Sequence, residues 1–204
     1  MPFPSEALTI TGGCNCRNVR YRLSIARLED RPFHPNFDST SKLSPVYQPY
    51  IFTDHCNDCR RATGSILPAW ISGPLEYIEI SLKQDGDDDH DHYLPGPSIL
   101  TGPTSKTQGK LSFYNSSPGR YRTFCTTCGT NLTFWESQIP SMFDVALGTV
   151  DREHLENLAP ERHLWWDRPL PWIRDYLDKG DGGHVDRHVE AQMNNRYPLP
   201  KDSS

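Results

Sequence analysis

The chain has 204 residues, 35% of them hydrophobic, and sets 21 Lys and Arg against 26 Asp and Glu for a formal charge of −5. That length suits one domain with its own core, and the negative balance argues against general nucleic-acid affinity, which draws on clustered positive charge. No stretch approaches the ~20 apolar residues that span a membrane, and the opening MPFPSEALTI lacks the basic-then-apolar order of a signal peptide, so a cytoplasmic or nuclear location is expected.

Eighteen Pro and 14 Gly call for many turns and favour a mainly β fold of short antiparallel strands and hairpins. Residues 8–25, LTITGGCNCRNVRYRLSI, alternate apolar and polar positions around a Gly-Gly turn, which predicts a hairpin with Cys14 and Cys16 at its bend. Residues 29–49, rich in Pro, Ser and Asp, read as an irregular insertion. The stretch TDHCNDCRRATGS, 53–65, follows, with room for a short helix after Cys59. Next, SILPAWISG and LEYIEISL look like strands, and residues 83–110 read as a long acidic surface loop whose Asp/His run is solvated rather than a cation site. KLSFYNS and GRYRTFCTTCGTNLTFWES resume strand periodicity around Cys125 and Cys128, and MFDVALGTVD continues it. DREHLENL predicts a short helix or turn, while ERHLWWDRPLPWIRDYL closes the core, with Trp165, Trp166 and Trp172 as core or pocket wall. From 179 onward apolar residues are few. The organisation expected is one domain over 1–178 and a mobile tail over 179–204.

The six cysteines fall into three pairs, Cys14-x-Cys16, Cys56-x-x-Cys59 and Cys125-x-x-Cys128. In a reducing compartment such pairs serve metals or catalysis rather than disulfides. Any two pairs make one closed four-thiolate zinc site, and the remaining two thiols cannot saturate a second ion. Two pairs can be chosen in three ways, and spacing does not decide among them. If Cys56 and Cys59 are the pair left over, Asp54, His55 or Asp58 can complete three protein ligands and leave a position for water or substrate. The bland alternative is a pair of free thiols in a packed turn. Gly129, after Cys128, suits a tight knuckle because glycine accepts a positive φ, and Gly12 and Gly13 offer the same before Cys14.

Taken in order, GGCNCRNVRYRL, HCNDCRRATGS and RTFCTTCGTNLTF resemble the glutathione-dependent formaldehyde-activating enzyme family, which also includes centromere protein V, and LGTVD…LAPERHLWWDRPLPW is similar to that family's closing segment. The resemblance covers roughly 8–178. It implies a zinc-stapled β-tent with a structural zinc on Cys14, Cys16, Cys125 and Cys128, and a catalytic zinc where the family has C-x-C-x-x-C. Here Cys56 and Cys59 match the last two positions, and Asp54 stands at the first. A carboxylate oxygen is a harder zinc ligand than thiolate and a poorer donor; His55 is the competing ligand.

The activity implied is that of a zinc-dependent carbon–sulfur lyase acting on an adduct of glutathione or a related small thiol. In such a site His55 or Asp58 would move a proton. Arg60 and Arg61 would fork onto a substrate carboxylate, such as those of glutathione, and Thr63, Gly64 and Ser65 would offer amides and hydroxyls to an anion, as would Arg122. Each also has an ordinary reading as a solvated turn residue or a surface ion pair. Two other functions stay open: a non-catalytic zinc-stabilised binding module, disfavoured because the tail has no Lys/Arg cluster, and a zinc enzyme acting on a metabolite without glutathione. A small-molecule partner is expected, without nucleic acid or membrane, and a homo-oligomer is left open.

Overall fold

A computed structural model describes residues 3–35, 46–83, 92–102, 107 and 109–180, together with the backbone of 186–187. Strands β1 (Leu8–Gly13) and β2 (Val19–Ile25) form the expected hairpin, with Leu8 opposite Ile25 and Gly13 opposite Arg20. In β2, Val19, Tyr21, Leu23 and Ile25 are buried while Arg20, Arg22 and Ser24 are less so, the period of two that a strand imposes. The chain continues through β3 (Tyr50–Asp54), helix α1 (Asn57–Thr63), β4 (Ala69–Pro74), β5 (Ile78–Leu82) and β6 (Leu94–Pro95). Then come β7 (Leu111–Ser117), β8 (Arg120–Cys125), β9 (Asn131–Glu136), β10 (Met142–Ala146) and helix α2 (Arg152–Leu155). Last are β11 (Arg162–Leu164), helix α3 (Pro171–Gly180) and β12 (Asp186–Arg187).

The strands make two sheets, one ordered β1-β2-β5-β6 and the other β12-β11-β3-β4-β10-β9-β8-β7. Neighbours are antiparallel except that β11 runs parallel to both β3 and β12. Ile10, Tyr21, Leu23, Ile78 and Ile80 of the small sheet share one buried cluster with Ile51, Ile71, Leu132 and Val145 of the large one. Burying such a side chain contributes about 1.5–3 kcal/mol. Because side chains alternate, the outer face of the large sheet receives Tyr50 and Phe52 from β3 and Trp70 from β4, which pack with Met142 and Leu164 as a second apolar cluster. That outer face carries the candidate site.

Several details depart from the expectations. Gly12 and Gly13 do not form the first knuckle; Arg17 takes the left-handed conformation there, at φ 63°. Gly12 is small for another reason: a Cβ on it would lie 2.2 Å from Tyr21 Oη and 2.5 Å from Thr149 O. Within the polar stretch 83–110, β6 pairs with β5 and the following Ile99 and Leu100 are fully buried; residues 84–91, 103–106 and 108 lie outside the described residues. In the stretch 29–49, Phe33 bridges to Tyr47, and 36–45 lie outside the described residues. Helix α3 runs to Gly180 and β12 pairs with β11, while 181–185 and 188–204 lie outside them. Trp172 is 59% exposed on α3, outside the core, and lines a shallow surface groove with Asp175, Tyr176 and Lys179, whereas Trp166 is buried. Among the described residues no helix is long and apolar enough to cross a membrane, which says nothing of a β-barrel.

Candidate metal centres and cleft

None of the six cysteines is in a disulfide. Cys14 and Cys16 sit in the β1–β2 turn, Cys125 ends β8, and Cys128 lies in the turn before β9. Local hydrogen bonds shape both knuckles: Cys14 N–H donates to Val19 O at 2.9 Å, Val19 N–H to Cys14 Sγ at 3.2 Å, and Gly129 N–H to Cys125 O at 2.9 Å. Gly129 takes the positive φ, 72°, expected of it. The four ligand atoms lie within 4.8 Å of one another, with Sγ–Sγ distances of 3.5 Å for Cys14–Cys16 and 3.6 Å for Cys16–Cys125. Sulfurs placed ~2.3 Å from a tetrahedral ion would be ~3.8 Å apart, so the cluster could hold a metal ion. It joins a turn of the small sheet to a turn of the large one. Burial pushes the Cys14 thiol up to about 12. At Cys128 burial also raises, but hydrogen bonds from the hydroxyl and backbone of Thr130 and from Cys16 together outweigh it and bring the thiol down to about 6.

A second group, Asp54, Cys56 and Cys59, also has its ligand atoms within 4.8 Å of one another. Asp54 is the last residue of β3, Cys56 precedes α1, and Cys59 lies in its first turn. Asp54 Oδ1 accepts a hydrogen bond from Cys56 N–H at 2.8 Å, so the carboxylate also starts the helix. Burial pushes Asp54 up to about 6, against hydrogen bonds from Cys59 and Cys56. The hydrogen bond with Cys59 brings Cys56 down to about 5, while the same bond, burial and the Asp54 charge push Cys59 far above the ordinary thiol range. Two thiols thus share one negative charge, and releasing both protons needs a nearby cation. Arg122 supplies one positive charge: it is 2% exposed, and its Nη2 donates to Cys59 Sγ at 3.1 Å. Its guanidinium carbon lies 4.8 Å from the Phe134 ring centre and 5.9 Å from that of Trp70. Nε and Nη1 of Arg122 are buried without a hydrogen-bond partner.

His55 turns away from this trio. Its Nε2 lies 3.1 Å from His163 Nδ1, and its ring meets Trp166 edge-on at 5.2 Å. Burial, then the neighbouring His163 and Arg174, bring it down to about 3, so it is neutral. The other residues singled out near the trio divide. Asp58 lines the cleft but is largely exposed, 4.0 Å from Arg61. Arg60 donates to Asn57 Oδ1 at 3.3 Å, Thr63 Oγ1 to Cys59 O at 2.9 Å, and Ser65 N–H to Thr63 Oγ1 at 3.2 Å. Gly64, at φ 67°, caps α1. Arg60, Arg61, Thr63, Gly64 and Ser65 serve the helix and its surface, and none lines the cleft.

That cleft, of about 570 Å³, opens over the outer face of the large sheet and includes the trio, Arg122, and the rings of Tyr50, Phe52, Trp70, Phe134 and Trp165. One cross-strand row forms the middle of its floor: Tyr50 pairs with Ser72, Ser72 with Asp144, Asp144 with Phe134, and Phe134 with Arg122. Ser72 is the hydrogen-bonding neighbour of both Tyr50 and Asp144. Burial raises Asp144 from the ordinary 3.8 to about 7; Ser72 opposes the shift, the charges of Asp54 and Glu136 add to it, and Arg122 opposes it. The folded state therefore holds this proton to higher pH than the unfolded chain, a contribution that favours folding in acid and is lost as pH rises through about 7. Asp144→Asn cannot ionise, so its stability relative to the parent is expected to rise between about pH 4 and about pH 8. Urea unfolding across that range checks this, and a constant difference would contradict it. Sequence reasoning missed Tyr50, Ser72, Trp70, Phe134 and Asp144, since only the strand register brings them together.

Residues 99–168 match the family model described as glutathione-dependent formaldehyde-activating enzyme. The match takes in Arg122, Cys125, Cys128 and Asp144, and the resemblance read from the three cysteine motifs is borne out there. No curated protein matches the chain. A crystal structure of a Rhodobacter sphaeroides protein from a structural genomics programme is 14% identical, covering 73% of this chain and 97% of that one, with a TM-score of 0.37; at that score it carries no argument about fold or function.

Proposed function

We propose that this chain is a zinc enzyme of the carbon–sulfur lyase type on a zinc-stapled β-tent, which makes or breaks the bond between a small thiol, such as glutathione, and a carbonyl compound. The observation that carries the reading is the trio of Asp54, Cys56 and Cys59, three ligand atoms within 4.8 Å of one another at the wall of an open cleft. A closed set of four thiols is enough for a staple; three ligands beside a cleft suit a reagent. Cys14, Cys16, Cys125 and Cys128 would hold the structural zinc, and Asp54, Cys56 and Cys59 the second. Bound there, zinc supplies Lewis acidity toward a carbonyl oxygen.

The chain's own residues account for the rest. Arg122 donates to the Cys59 sulfur and offsets part of the trio's negative charge; it eases the loss of the Cys59 proton without achieving it alone, and bound zinc would supply the remaining positive charge. In the reaction a sulfur–carbon bond forms as the carbonyl becomes a hydroxyl; the thiol loses its proton, the oxygen gains one, and nothing is oxidised or reduced. Asp144 keeps a proton at the floor of the cleft for that oxygen, and Asp58, at the exposed rim, exchanges protons with solvent. The rings of Trp70, Phe134 and Trp165 keep water from the remaining walls. Six unbridged cysteines are consistent with a reducing, cytosolic compartment.

One observation favours the reading without glutathione. Two of the three described arginines at the cleft are already paired, Arg120 with Glu136 at 3.3 Å and Arg168 with Asp167 at 3.6 Å and the face of Trp165, while Arg122 donates one N–H to Cys59 and keeps Nε and Nη1 unpartnered. A tripeptide with two carboxylates could meet Arg122 with one of them, but the second would have to displace an existing partner. The reading is tested by NMR exchange between a thiol, glutathione or N-acetylcysteine, and an aldehyde. The zinc-loaded chain is expected to accelerate exchange, and a chelator to abolish the effect. No acceleration with either thiol would refute it.

A further inference from the structure

A one-carbon aldehyde needs little more room than the ~30 Å³ share of a water molecule, yet the cleft beside the trio offers about 570 Å³. That size belongs to the range of pockets that enclose whole organic ligands, ~300–1,000 Å³. Its lining is also specific. Trp70 on β4 and Phe134 on β9 lie on the floor on either side of β10, and Trp165 enters from the segment after β11. Arene rings on several walls favour a flat arene, which gains offset or edge contacts beyond the area it buries. The polar row Tyr50, Ser72 and Asp144 crosses this floor and is continued through Phe134 to Arg122, while Ser116, Ser117, Glu136 and Gln138 are further polar residues of the lining. Of the described arginines that line the cleft, Arg120 and Arg168 are ion-paired and Arg122 donates to Cys59 with Nε and Nη1 left over, so the lining offers an anion at most one open guanidinium and does not select for a multiply anionic occupant.

We propose that the carbonyl half of the substrate is an aromatic aldehyde or ketone, its ring lying over Trp70 and Phe134 and an oxygen hydrogen-bonded by the Asp144–Ser72 pair. The proposal rests on the lyase reading only in taking the trio as the reacting end; the aromatic site itself is a property of the cleft. Asp144 touches this occupant and sets its specificity. The groups that face Asp144 are Ser72 and Tyr50 from β4 and β3, Asp54 at the end of β3, Glu136 on β9 and Arg122 on β8. Burial above all, with Asp54 and Glu136 adding to it against Ser72 and Arg122, raises this carboxyl to about 7, so below that pH it carries a proton that it can donate to a neutral oxygen.

Isothermal titration of the full-length, zinc-loaded chain with 2-naphthaldehyde, acetaldehyde and 2-methylnaphthalene tests this. In the parent, 2-naphthaldehyde is expected to bind at least about tenfold more tightly than acetaldehyde. Asp144→Leu is expected to weaken 2-naphthaldehyde about tenfold while leaving 2-methylnaphthalene unchanged, and Asp144→Asn, which keeps a donor, to stay within about threefold of the parent. If Asp144→Leu does not fold, the aldehyde comparison in the parent and Asp144→Asn decides. Equal binding of the two aldehydes overturns the proposal, as does equal weakening of both naphthalenes by Asp144→Leu. Failure of the lyase reading is separate: naphthaldehyde binding without accelerated thiol exchange upholds the aromatic site and sinks the lyase. Accelerated formaldehyde exchange without naphthaldehyde binding does the opposite.

Discussion

Cys125→Ser is expected to leave a chain that no longer unfolds cooperatively. Cys125 is fully buried at the end of β8, its sulfur 3.6 Å from that of Cys16. The knuckle around it joins the large sheet to the β1–β2 turn of the small one. A structural zinc on such a cluster contributes about 10–16 kcal/mol to folding, against a total stability of about 5–15 kcal/mol for a domain. Losing one of four thiolates therefore removes more than the margin the whole fold has, since a serine hydroxyl does not replace a thiolate as a zinc ligand. Circular dichroism on heating checks this, and a strong chelator should produce the same loss in the parent. A variant melting within a few degrees of the parent would show that the cluster is not a staple.

Cys56→Ser is expected to do the reverse: keep the fold and lose the reagent. Serine is as good a residue as any before a helix, and the hydrogen bond from the residue 56 backbone N–H to Asp54 Oδ1 does not involve the side chain. Helix α1 should therefore still start at the same place. What disappears is one of the trio's two sulfurs, and a carboxylate with one thiolate cannot hold zinc as three ligands do. Zinc content should fall from about two ions per chain to about one, and thiol–aldehyde exchange to the uncatalysed rate, with the melting curve unchanged. Elemental analysis of purified protein beside the exchange assay measures both. Unchanged zinc content with full activity would remove the trio from the mechanism.

Much of this site could be read along the chain because its parts are local. Cys14 and Cys16 fall at the turn between two alternating stretches, and Gly129 follows Cys128 because the knuckle there needs a left-handed residue. The period of two in VRYRLSI reports a strand with one buried face. The remainder depends on distant partners. Asp54 and His55 are neighbours and both plausible ligands by spacing, but β3 ends at Asp54, which keeps the face of Tyr50 and Phe52, while His55 lies beyond the strand with its N–H on Leu164 O. The outcome turns on His163, which lies 108 positions away and receives the His55 ring. Arg122 resembled a strand-face ion pair until the sheet brought it to Cys59, 63 positions earlier. The row from Tyr50 to Arg122 draws on five strands whose order, β3-β4-β10-β9-β8, is not their order in the chain. Ile99 and Leu100 carry no signal within their polar stretch because two apolar residues make no period, although both are buried in the core.

The account depends on two kinds of metal site in one chain, and an anomalous-difference map at the zinc edge, from crystals of the zinc-loaded protein, tests it most directly. It predicts two peaks per chain: one enclosed by Cys14, Cys16, Cys125 and Cys128, the other bounded by Asp54, Cys56 and Cys59, with His55 still against His163. A single peak in the four-cysteine cluster, in protein that nonetheless accelerates thiol–aldehyde exchange, would contradict it.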